Sequence, residues 1–195
     1  VVLFVGAIIA RKGIDTLLEA WSRVAPRYPL GRLVLVGPRH SELGPPAESQ
    51  ASFQPALDAF IERSGLSEQV VFTGAVSNVE DYYQAADVFA FPSEREGMPN
   101  VVLEAFACGL PTILVPFLGL PEEFGHPGEQ YLLAQRTPEA LATALETLME
   151  NQEQRQRLGQ EAHRWVREHL DVELSLDRYA ALYRELARKR VTQRR

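Results

Sequence analysis

Residues 87–115 read DVFAFPSEREGMPNVVLEAFACGLPTILV. Two short apolar runs, Asp87–Phe91 and Thr112–Val115, enclose a polar loop and a segment that closes on Gly109 and Pro111. Apolar runs this short, bounded by turn residues, predict strands buried on both faces. Between them Asn100 predicts an N-cap, Gly109 the residue just past a helix and Pro111 its stop, so residues 101–108 predict a short helix. Strand, helix and strand in that order make one unit of a parallel sheet.

The alternation continues in both directions. Upstream, Val1–Val5, Arg32–Val36 and Gln69–Thr73 predict three further strands, with helices over Ile14–Trp21, Ala56–Arg63 and Val79–Ala86 and a polar, proline-containing loop from Pro38 to Pro55. Downstream, Glu129–Leu133 predicts a sixth strand. From Pro138 onward helices are predicted, with Leu141, Leu145 and Leu148 on one face, Leu158, Ala162 and Trp165 on the next, and Leu176, Tyr179, Leu182, Tyr183 and Leu186 on a last amphipathic helix. The fold class is therefore α/β, a Rossmann-like doubly wound parallel sheet of about six strands with C-terminal helices. Residues 1–190 predict a single domain, and residues 191–195 a solvated basic tail.

Composition narrows the function. The chain has 195 residues, enough for one buried core, and its net charge of −6 argues against a general nucleic-acid partner. The lone cysteine, Cys108, lies in the short apolar helix and reads as a core residue; it supports no internal disulfide, which fits a reducing, cytoplasmic setting. The apolar run Val1–Ala10 is too short to cross a bilayer. A chain that opens directly on a core strand is expected to be a piece of a longer protein.

Two loops carry the candidate chemistry. In open α/β sheets ligands bind beyond the carboxyl ends of the strands, which puts the loop after the first strand and the loop after the fourth on one edge. The first runs from Gly6 to Gly13, with Arg11 and Lys12 just before a helix, so an ammonium and a helix N-terminus can face one anion. The second carries Arg95, Glu96, Gly97, Met98, Pro99 and Asn100. Glu104 sits alone among apolar residues in the helix that follows and needs a hydrogen-bond donor the segment does not contain; a ligand hydroxyl would serve. The four histidines are scattered, and no cysteine pair or Asp-x-Asp is present, so no metal is expected. No Gly-x-Gly-x-x-Gly follows the first strand, which disfavours a dinucleotide domain.

Pro92-Ser93, Glu96-Gly97, Glu104-Ala105 and Cys108-Gly109-Leu110-Pro111 together resemble the motif at the heart of family 4 of the retaining glycosyltransferases. The resemblance extends over nearly all of residues 1–190. It implies the C-terminal, donor-binding half of a two-domain enzyme of the GT-B architecture, acting on a nucleotide-diphosphate sugar without a metal or other cofactor. By resemblance Lys12 would hold the diphosphate, beside the strand-ending Gly6; Glu96 would meet the transferred sugar; Glu104 would accept the ribose hydroxyls. Backbone N–H groups of Gly97 to Asn100, Met98 and Pro99 included, would assist, and backbone near Val76 would touch the base. The family's Gly-x-Pro-Glu turn corresponds to Gly119-Leu120-Pro121-Glu122.

The family usually has an arginine directly after the first glycine, where this chain has Ala7. Arg11 or Arg95 covers the loss, or the donor binds differently, or the member is impaired. A missing charged hydrogen bond is worth roughly 1.5–3 kcal/mol. The implied partners are a nucleotide-sugar donor and an N-terminal acceptor domain of the same parent, with no nucleic acid; peripheral membrane contact by the parent stays open. Alone, the chain is expected to bind and not to catalyse. A non-catalytic nucleotide-sugar-binding regulatory domain and half of a related GT-B sugar-nucleotide epimerase are the alternatives.

Overall fold

The computed structural model describes residues 1–39, 52–120 and 124–192. Six strands, β1 (Val2–Val5), β2 (Leu33–Val36), β3 (Val70–Gly74), β4 (Val88–Phe91), β5 (Thr112–Leu114) and β6 (Leu132–Leu133), form one sheet in the order β3-β2-β1-β4-β5-β6. Every pairing is parallel, with Val2 opposite both Leu33 and Val88, Phe89 opposite Thr112 and Ile113 opposite Leu132. Chain order runs outward on both sides of β1 and β4, so the connections leave that junction in opposite directions. The loops after β1 and β4 flank this switch point, the place where open α/β sheets leave a crevice for ligands.

The helices are α1 (Ile14–Val24), α2 (Phe53–Arg63), α3 (Val79–Ala85), α4 (Asn100–Ala107), α5 (Pro138–Glu150), α6 (Gln152–His169) and α7 (Val172–Thr192). In α1 the buried residues Ile14, Leu17, Leu18, Trp21 and Val24 recur at helical spacing and lie on the sheet. Thr137 caps α5 by accepting from the Ala140 amide (3.2 Å), with Pro138 in the first turn, and Asn151 caps α6 through the Gln154 amide (2.9 Å). The turn after α4 approaches α6 so closely that a Cβ on Gly159 would lie 2.0 Å from the Gly109 carbonyl oxygen. The core contains Phe4, Phe89 and Phe91 from adjacent strands, their rings stacked at 6.0 Å.

Three expectations are corrected. Helix α4 starts at Asn100, with no side-chain cap, because Pro99 is the flanking residue whose carbonyl accepts the first bond, from the Val102 amide (2.9 Å). Only Leu132–Leu133 of the predicted sixth strand is a strand; residues just before it form a turn that the buried Gln130 closes by accepting from the His126 amide (2.7 Å). Cys108 is exposed, not a core residue, because the buried face of α4 is Val102, Ala105 and Phe106. Helix α7 runs on to Thr192, while Arg194 and Arg195 lie outside the described residues. Pro121 and Glu122 of the later turn and most of the Pro38–Pro55 loop also lie outside them.

Helix α7 leaves Val172, Leu176, Tyr179, Tyr183 and Leu186 exposed at helical spacing. No described helix is long and apolar enough to cross a membrane.

Candidate functional site

The loops after β1 and β4 are bonded into one unit. Gly13 takes φ 69° and lies so close to the other loop that a Cβ there would sit 2.3 Å from the Pro92 carbonyl oxygen, so only glycine fits without displacing backbone. The Glu94 amide bonds the Arg11 carbonyl (2.9 Å), while the Glu94 carbonyl accepts from the Leu118 amide (3.0 Å) and the Glu96 amide bonds the Leu118 carbonyl (3.1 Å). Those bonds fix the backbone from Ser93 to Glu96 before any side chain is considered.

On this base Lys12 and Glu96 meet. Lys12 Nζ donates to Glu96 Oε1 at 2.6 Å, with 12% and 10% of the two side chains exposed. The ammonium also lies 5.3 Å from the centroid of the Phe91 ring, where the ring's negative face favours a cation. Ser93, fully buried, donates its hydroxyl proton to the same Glu96 oxygen. An ammonium has three donors, so one bond to Glu96 leaves Lys12 able to bind an anion as well.

Glu104 is exposed on α4, and its donor is Tyr83. The Tyr83 hydroxyl, on α3, lies 2.9 Å from Glu104 Oε2 and 3.0 Å from the Val101 carbonyl. Burial first, then the hydrogen bond to Glu104 and its charge, raise the pKa of this phenol far above the ordinary tyrosine range, so it stays protonated and remains a donor. The donor that the helix itself does not contain thus lies on α3, 21 residues away in sequence. Tyr83 was not singled out by sequence reasoning, although its phase on α3, with Val79 and Tyr82 beside it, is the available signal. Glu104 and partial burial also push the Cys108 thiol up, burial being the larger cause, although the residue as a whole is exposed.

A cleft of about 230 Å³ runs along the carboxyl ends of β1 and β2, lined by Gly6, Ala7, Gly37, Val76 and Glu104 among others. Gly37 forms its floor at φ 136°, where a Cβ would meet the Gly6 carbonyl oxygen at 2.2 Å. A Cβ on Gly6 would reach 4.0 Å from Lys12 Cε, so the cleft adjoins the Lys12–Glu96 pair. The fold therefore gathers Gly6, Val76 and Glu104 around one cleft and Lys12 and Glu96 beside it.

The remaining candidates are placed less uniformly. Arg11 Nη1 bonds the Arg95 carbonyl (3.2 Å), and Arg11, Arg95, Gly97, Met98 and Asn100 are exposed while Pro99 is buried. Of the four backbone groups from Gly97 to Asn100, Pro99 has no N–H and that of Asn100 is taken by Met98. That leaves the N–H groups of Gly97 and Met98 as the ones in this run that a ligand could use. A larger groove, about 940 Å³, opens at the opposite end of α4 between Cys108 and α6, and shares no lining residue with the cleft at the carboxyl ends of the strands. Among the described residues no group of three or more His, Cys, Asp or Glu is placed to hold a metal ion.

Known proteins resemble this chain in sequence and in fold. A glycosyltransferase of unassigned reaction from Haemophilus influenzae is 31% identical over 153 residues, covering 78% of this chain and 40% of that protein. The D-inositol 3-phosphate glycosyltransferase of Kineococcus radiotolerans is 32% identical over 174 residues, covering 84% of this chain and 39% of its own length. The chain thus spans about two fifths of the curated relatives it matches. Among solved structures, Anabaena HepE in complex with UDP superposes with a TM-score of 0.82 at 22% identity over 94% of this chain and 48% of that one, a likeness of fold. The family model of the glycosyl transferases group 1 matches residues 1–165, and the chain belongs to that family.

Proposed function

We propose that this chain is the donor-binding, C-terminal half of a retaining glycosyltransferase of family 4, built on the GT-B plan and acting in the cytoplasm. The observation that carries the reading is the convergence at the switch point of Lys12 and Glu96, from two different loops, beside a cleft bounded by Gly6, Val76 and Glu104. The cleft takes the nucleoside, with Val76 backbone at the base and Glu104 accepting the ribose hydroxyls. Lys12 faces the diphosphate, Gly97 and Met98 offer backbone N–H groups, and Glu96 meets the transferred sugar.

The chemistry follows from charge. Departure of a nucleoside diphosphate builds negative charge on the leaving oxygens, and a fixed ammonium stabilises that charge without reorganising. Lys12 is held for this by Phe91 and Glu96. Glu96 stands close to the reacting carbon, and no covalent intermediate through it is assumed. Metal independence rests on Lys12 supplying the positive charge. Arg11 or Arg95 takes over from the family arginine replaced by Ala7.

The acceptor and the second wall of the cleft belong, in this reading, to an N-terminal domain of the same parent. Support comes from the relatives' greater length and from the apolar stripe of α7, which a further domain would cover. A panel of UDP, GDP, ADP and their hexose conjugates, scored by thermal shift with and without EDTA, tests the proposal. One nucleotide should stabilise the chain by about 2.7 kcal/mol at a hundredfold excess over its dissociation constant, unchanged by EDTA. No shift with any of them would refute donor binding, and a shift that needs added magnesium or manganese would refute metal independence.

A further inference from the structure

We infer that Ser93 is the positioning residue that sets the orientation of the Glu96 carboxylate. This rests on the reading above that Glu96 meets the sugar. The Ser93 hydroxyl has one proton and three acceptors within reach: Glu96 Oε1 in a short contact, and the carbonyls of Arg11 and Arg95 at 3.4 and 3.5 Å, the outer limit of a hydrogen bond. The charged and much nearer carboxylate takes the proton.

Two donors, Lys12 Nζ and Ser93 Oγ, therefore converge on Oε1 and divide the work of the carboxylate. Oε1 is the anchored oxygen, and Oε2 is the one turned to a ligand hydroxyl. The donors differ in kind. Lys12 ends a long chain with four rotatable bonds and serves the diphosphate as well, whereas Ser93 is fully buried on a backbone that three loop-to-loop hydrogen bonds hold in place. Ser93 itself is wholly shielded from solvent, so no water takes the place of its hydroxyl, and deleting it leaves Glu96 anchored by the side chain that must also meet the phosphates.

The same three backbone bonds separate positioning from folding. None of them uses the Ser93 hydroxyl, so Ser93→Ala should fold and melt within about 4 °C of the wild type. Titration calorimetry of wild type, Ser93→Ala and Ser93→Cys with UDP, UDP-glucose, GDP, GDP-mannose, ADP and ADP-glucose tests the inference. For the nucleotide that binds, Ser93→Ala should lose roughly tenfold to a hundredfold in affinity for the hexose conjugate and less than about threefold for the bare diphosphate. Ser93→Cys, with a weak S–H donor of similar size, should recover part of the loss.

Equal losses for conjugate and diphosphate, or no loss for either, would overturn the positioning role while leaving the nucleotide site standing. Failure of both variants to fold would make Ser93 a structural residue and overturn it too. Failure of the wild type to bind any of the six ligands would remove the donor site itself, and the inference with it.

Discussion

A double-mutant cycle across the Lys12–Glu96 pair probes both the fold and the site. Lys12→Met removes the ammonium but keeps an unbranched side chain against Phe91, and leaves Glu96, 10% exposed, facing the Ser93 hydroxyl. Removing one partner of a buried ion pair costs about 3–5 kcal/mol. Because both side chains retain some solvent access, we take the lower side, roughly 2–3 kcal/mol, which in a chain of this size lowers the melting temperature by about 5–10 °C. Glu96→Gln should cost a similar amount by stranding the ammonium. The double variant Lys12→Met/Glu96→Gln strands no charge, so its loss should fall short of the sum of the two by roughly 1–3 kcal/mol. Urea denaturation of the four proteins at constant pH measures this. Additivity within about 0.5 kcal/mol would refute the coupling and with it the geometry assigned to the pair. In the same proteins Lys12→Met should weaken diphosphate binding whichever side chain stands at position 96, since that contact does not pass through the carboxylate.

Other outcomes follow from the same geometry. Glu104→Gln should weaken nucleotide binding by more than it lowers stability, because the carboxylate is exposed and Tyr83 can still donate to the Val101 carbonyl; unchanged affinity in a destabilised variant would make Glu104 structural. Gly13→Ala should destabilise the chain by about 2 kcal/mol or more, and Gly65→Ala by about 1, since both are at positive φ but only Gly13 meets backbone there; equal losses in denaturation would contradict the close approach of the two loops. The Cys108 thiol, pushed up by burial and then by Glu104, should alkylate more slowly than a free peptide thiol at pH 8, with its rate still rising above pH 9 as the thiolate forms. Glu104→Gln should speed that alkylation by removing the nearby negative charge, and an unchanged rate would count against their coupling.

How much of this could be read from sequence depended on the range of the interactions. The first five strands were legible because a parallel sheet covered on both faces demands unbroken apolar runs, and such runs depend on nearest neighbours alone. The sixth was over-read at its start, where Gln130 is buried and closes a turn through its own side chain. Asn100 looked like a cap by residue type, yet its amide bonds Met98 and Pro99 occupies the flanking position. Lys12 and Glu96 were each visible at a loop after a strand, but their pairing at 2.6 Å across 84 residues was not, since it depends on the strand order β1-β4. Glu104 was noticed as a lone carboxylate in an apolar helix, although the side chain is exposed and escapes the desolvation cost that drew attention to it. Its protein donor, Tyr83, escaped because a tyrosine on another helix carries no local sign of its partner.

The most direct test of the donor site is a nucleotide titration followed by amide NMR on the isotopically labelled chain. The account predicts that a saturating nucleoside diphosphate moves the amides of Gly6, Ala7, Val76 and Gly97 most, together with the first turn of α1 after Lys12. Shifts concentrated instead at Gly109, Gly159 and His163, around the larger groove beside α6, would contradict it.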